Sequence, residues 1–143
     1  VTASSKTREG CGVVGVSSIT EGGVAERIHK ALSAIQHRGQ EPAGIAVVSE
    51  GELRTHKGLG LVADVMTKDA LASLRGHVGI GHVLCSTASR VAIEEAQPFV
   101  VKNPKFSFAL AFNDTITSFP DLREELAGVR RGLHDEDGHG GPS

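Results

Sequence analysis

The chain has 143 residues, 39% apolar and 22% charged, which is one ordinary domain with enough apolar surface for a core and excludes a disordered polymer. Its formal net charge is −2, and Arg27, Arg38, Arg54, Arg75, Arg90 and Arg130 are scattered with no basic stripe, so no nucleic-acid partner is expected. No run is apolar for the length of a membrane span, residues 1–10 do not read as a signal peptide, and two cysteines make no disulfide framework. A soluble cytoplasmic protein with no membrane partner is the expectation.

Residues 1–10 are polar and aperiodic and read as a leader. The β-branched run from Cys11 to Val16 predicts a buried strand, and Glu21-Gly22-Gly23 a turn. Val24, Ile28, Ala31, Leu32 and Ile35 then share one face at helical spacing, which predicts a helix over about 23–36 that closes before an Arg38-Gly39 turn. Two strands, 43–48 and 53–57, flank the hairpin signal Glu50-Gly51-Glu52. A short helix is expected over Asp69–Leu74, with Thr67 as its N-cap. Strands follow at Val78–Cys85, Pro98–Val101 and Phe106–Phe112, and a helix at Phe119–Leu126 with Ser118 as cap and Pro120 in the first position. Residues 128–143 dissolve into Gly, His and acidic side chains and read as a polar tail, which leaves 11–127 as the domain. Strands in hairpins with helices grouped apart predict an α+β layered fold.

Five segments carry the chemical signal. They are Cys11-Gly12-Val13-Val14-Gly15, the stretch Gln36-His37-Arg38-Gly39-Gln40-Glu41-Pro42-Ala43-Gly44-Ile45, Lys57-Gly58-Leu59-Gly60-Leu61-Val62, Gly79-Ile80-Gly81-His82-Val83, and Glu95-Ala96-Gln97-Pro98-Phe99. None is specific alone. In this order and spacing, from about Glu9 to Leu126, they resemble the glutaminase domain of the amidophosphoribosyltransferase family. The resemblance implies an N-terminal-nucleophile hydrolase-like αββα sandwich of antiparallel sheets. It also implies class II glutamine amidotransferase chemistry in purine biosynthesis, with glutamine split to glutamate and ammonia.

That chemistry needs a nucleophile, a base, an oxyanion site and a grip on the amino-acid end of glutamine. The resemblance places Cys11 as nucleophile, its own free α-amino group as base, and Asn113 as oxyanion donor. It places Arg38, Gly39, Thr87 and Asp114 around the substrate. An α-amino group titrates at about 7.7–8.0, whereas an internal peptide nitrogen accepts no proton, so residues 1–10 have to be removed before Cys11 acts. The bland readings are a buried strand cysteine for Cys11 and a helix-terminal arginine for Arg38.

Three departures from the resembled pattern stand out. Leu84 and Cys85 take the place of an arginine and a tyrosine, which removes the charged fork expected on the substrate α-carboxylate. Phe112-Asn113-Asp114 takes the place of His-Asn-Gly, so Asp114 stands where a glycine N–H donates. The pattern also continues beyond Leu126 in the family. The fold is therefore expected to be incomplete, its exposed sheet face covered by a second copy or a partner chain. The alternative function is a catalytically impaired relative that serves as a binding or structural module. No cofactor or metal is expected: Gly58-Leu59-Gly60 lacks the frame of a nucleotide loop, and His134 and His139 match no ligand spacing.

Overall fold

Alternating valines put β1 (Gly12–Ser17) in a sheet, and the helical-period stripe that follows makes α1 (Val24–Ile35). The computed structural model describes residues 11–20, 22–36, 42–84, 93, 96–103, 105–113 and 124. After α1 come β2 (Pro42–Ser49), β3 (Glu52–Leu59), α2 (Val62–Val65), α3 (Lys68–Ser73), β4 (Val78–Val83), β5 (Phe99–Lys102) and β6 (Ser107–Leu110). β1, β4, β2 and β3 form one antiparallel sheet in that spatial order, and β5 and β6 pair as a second. This is the α+β antiparallel architecture expected from the sequence.

Local chemistry accounts for the boundaries. Glu50 and Gly51 both have positive φ (51° and 79°), the conformation of a two-residue hairpin loop, so the turn is one residue shorter than its sequence signal. The Thr67 hydroxyl accepts from the Ala70 N–H at 3.2 Å and caps α3, as predicted. The one-turn α2 was not foreseen; its four residues are too few for a helical period to show. The helix expected at 119–126, Glu124 apart, and the tail at 128–143 lie outside the described residues.

α1 lies on one face of the four-stranded sheet. Val24, Ile28 and Leu32 are buried against Ile45, Val47 and Val83, and α2 adds Val62 and Val65 to the cluster. Close approach depends on Gly81, where a Cβ would run into Ile28. Ile28→Ala removes the centre of this contact and is expected to cost about 2–5 kcal/mol of stability, read from urea unfolding midpoints.

The opposite face carries the second layer. The registers set Val13, His82, Gly44 and Lys57 side by side across it. Gln97 and Pro98 sit on this row at Gly44, where a Cβ would collide with the Gln97 carbonyl oxygen, so this close approach requires glycine. Elsewhere the face is partly open: Val13, Val48 and Val78 are 42%, 40% and 49% exposed. No helix among the described residues is long and apolar enough to cross a membrane.

Candidate functional site

Cys11 stands at the entrance to β1, and its neighbour Gly12 pairs with Val83 at the end of β4. The end of α1 is also here, since a Cβ on Gly12 would strike Ile35. β2 begins at this same end: Ala43 pairs with Val83, and the Leu84 N–H donates to the Pro42 carbonyl at 3.0 Å. Cys11 is half-buried and its thiol is free.

Asn113 reaches this point from a distant part of the chain. The Cys11 backbone N–H donates to Asn113 Oδ1 at 3.1 Å across 102 residues of sequence. A backbone N–H can only donate, so the amide oxygen has to face Cys11 and the Nδ2 donors are turned away from it. The two residues named from sequence as catalytic are thus brought together. Arg38, Gly39, Thr87 and Asp114, named as substrate-binding, lie outside the described residues, as does Cys85. Leu84 is described, is partly buried, and offers this end of the site no charged group.

Behind Asn113 is a set of polar contacts that the sequence reading left unassigned. The Phe112 N–H donates to Gln97 Oε1 at 2.7 Å, and Gln97 is only 6% exposed. Lys57 Nζ donates to the Ala96 carbonyl at 2.9 Å and lies 5.8 Å from the Phe99 ring centroid. Burial lowers the Lys57 pKa. His82 is fully buried in the same row, and neither ring nitrogen has a hydrogen-bond partner among the described residues. Burial lowers its pKa as well; the nearby Phe112 backbone opposes that shift more weakly, without a well-formed hydrogen bond. The net shift favours the neutral imidazole. The signal available for these residues was their place in three of the five segments set out above, which assign them no contact.

An open cavity of about 390 Å³ is lined by Gly22, Gly23, Glu26, Leu71 and Arg75. It lies at the start of α1, where Gly22 N–H meets the Gly76 carbonyl at 3.4 Å, the opposite end of the sheet from Cys11. It is not part of the cysteine site.

Comparison with known proteins gives a consistent set of relatives. No protein-family model matches the chain. It is 43% identical over 136 residues to an amidophosphoribosyltransferase of Methanothermobacter thermautotrophicus, a match covering 94% of this chain and 27% of the relative. The enzyme of the same name from Methanocaldococcus jannaschii is 43% identical over 116 residues, covering 81% of this chain and 25% of the relative. A solved structure described as the allosteric regulatory enzyme of purine biosynthesis superposes with a TM-score of 0.73 at 32% identity, over 81% of this chain and 25% of that one. The glutamine phosphoribosylpyrophosphate amidotransferase from B. subtilis gives 0.65 at 30% identity, over 83% and 24%. The chain thus spans about a quarter of the length of the relatives it matches.

Proposed function

The chain belongs to the amidophosphoribosyltransferase family, and from that premise we propose that it is a glutaminase unit, a class II amidotransferase domain that takes ammonia from the side-chain amide of glutamine. The observation that supports the reading is the hydrogen bond from the Cys11 nitrogen to Asn113 Oδ1, which puts the two residues to which the reading assigns nucleophile, base and oxyanion donor in direct contact.

On this reading residues 1–10 are a leader whose removal frees the Cys11 amine. The thiol gives its proton to that amine and attacks the glutamine amide carbon, and the amide oxygen becomes an oxyanion beside Asn113 Nδ2. The amine then passes the proton to the departing nitrogen, so ammonia leaves and a γ-glutamyl thioester remains on Cys11. Water, deprotonated by the same amine, cleaves the thioester to glutamate and restores the thiol. Arg38, Gly39, Thr87 and the Asp114 main chain line the glutamine. Leu84 cannot form the charged fork of an arginine, so glutamine is held weakly and KM is high.

The reading is tested by trapping. A diazoketone analogue of glutamine should alkylate Cys11 in the chain that begins at Cys11, with excess glutamine slowing the reaction and Cys11→Ala abolishing it. Modification that ignores glutamine, in protein shown to be folded, would overturn the reading.

A further inference from the structure

We propose that Gln97 is a positioning residue for the catalytic pair: it completes the β5–β6 hairpin with its side chain and so fixes where Asn113 meets the Cys11 nitrogen. This rests on the glutaminase reading for its effect on turnover, while the tether itself is a matter of geometry.

β5 and β6 pair from Lys102↔Ser107 to Phe99↔Leu110, and continuing that ladder sets Pro98 opposite Ala111 and Gln97 opposite Phe112. The Gln97 carbonyl, which would accept the next ladder bond, lies against Gly44 instead, so the main-chain ladder goes no further than Phe99. The Phe112 N–H would then lack a ladder partner one residue before Asn113. Gln97 Oε1 takes the place of the missing carbonyl, at 2.7 Å. Only the oxygen of the amide can accept from an N–H, so the Gln97 side chain has a single productive orientation.

A tether is useful only if its other end is fixed, and Gln97 is fixed from three directions. Its carbonyl rests on Gly44, which has no side chain to push it away. Lys57, the cross-strand partner of Gly44, donates to the preceding carbonyl at Ala96. The rings of Phe99 and Phe112 meet at 6.1 Å between centroids beside the Gln97–Phe112 bond. Position is thus transmitted from the four-stranded sheet through Ala96 and Gln97 to Phe112, then through one peptide unit to Asn113, whose Oδ1 holds the Cys11 nitrogen at 3.1 Å. Asn113 itself is exposed and lies beyond the end of β6 at Leu110. An oxyanion donor works by being placed before the charge develops, so a loosened Asn113 lowers turnover more than it lowers binding of the neutral amide.

The test compares Gln97→Met, which keeps length and removes the strong acceptor, with Gln97→Glu, which keeps an acceptor oxygen in either protonation state. Amide exchange at Phe112 and the Asn113 side-chain NH₂ signals are followed by NMR in the full chain; kcat and KM for glutamine are measured after removal of residues 1–10. Gln97→Met is expected to speed Phe112 exchange about tenfold or more, shift the Asn113 signals, and lower kcat by about 10–100-fold with KM within about twofold. Gln97→Glu is expected to restore most of each. Unchanged exchange and unchanged Asn113 signals in Gln97→Met overturn the proposal, as does faster exchange with unchanged kcat. Equal losses of thermal stability and kcat in both variants overturn it too, since that marks a purely structural residue. A wild-type protein without turnover overturns the glutaminase reading instead; a shift of the Asn113 signals in Gln97→Met then upholds the tether, and their constancy overturns it.

Discussion

Removal of residues 1–10 is expected to raise glutamine turnover by about 10³-fold or more over the full chain, because it converts the Cys11 nitrogen from an amide into an amine. In the full chain that nitrogen has one hydrogen, already donated to Asn113 Oδ1, and no basic lone pair. As a neutral amine it can keep that hydrogen bond and still accept the thiol proton within its own residue, so geometry is preserved while the base appears. The sign of the pH dependence follows. A base must be unprotonated to act, so kcat/KM should rise with pH through the ordinary α-amino range, about 7.7–8.0, and level off above it. The measurement is ammonia release between pH 6 and 9 from the full and the shortened chain. Equal rates in the two would sink the idea of an N-terminal base, and with it the need for a leader.

How much of this was legible in the sequence depends on where the determining contact lies. α1 was legible because Val24, Ile28 and Leu32 repeat at the helical period and each is buried by the same sheet. The β2–β3 hairpin was legible from its Glu50-Gly51 turn, which has local chemistry. Cys11 and Asn113 could be named only through family resemblance, since no spacing rule joins residues 102 positions apart. Gln97, Lys57 and His82 were passed over for a related reason. A lysine in a strand and a glutamine before a proline look solvent-facing until Gly44 and the second sheet are seen to cover them. His82, like Lys57 and Gln97, lay inside a quoted motif, yet nothing in the sequence says that it shares a sheet row with Gly44, Lys57 and Val13, because pairing order is a property of topology. The strand expected over Val78–Cys85 is seen to Val83, and the Leu84 N–H still bonds to the Pro42 carbonyl in the same register; Cys85 lies outside the described residues.

Asn113→Ala is expected to lower kcat for glutamine by about 10²–10³-fold, the usual cost of one missing oxyanion donor. Asn113 has two tasks in this geometry, and they fall to different atoms. Oδ1 accepts from the Cys11 nitrogen, while Nδ2 faces away from that contact and, on the proposed reading, donates to the oxyanion. Alanine removes both tasks, so Asn113→Asp is the informative partner. Aspartate keeps an acceptor for the Cys11 N–H, which preserves orientation, but it has no donor and places negative charge where more negative charge must form. If donation is the larger task, Asn113→Asp should be at least as slow as Asn113→Ala, with both retaining protection of Cys11 by glutamine against the diazoketone. If Asn113→Asp keeps near-normal turnover, Asn113 serves only to orient the amine, and the oxyanion donors must be sought in the main chain that follows it. The two variants therefore separate placing the base from stabilising the charge, which the hydrogen bond at 3.1 Å presents as one feature.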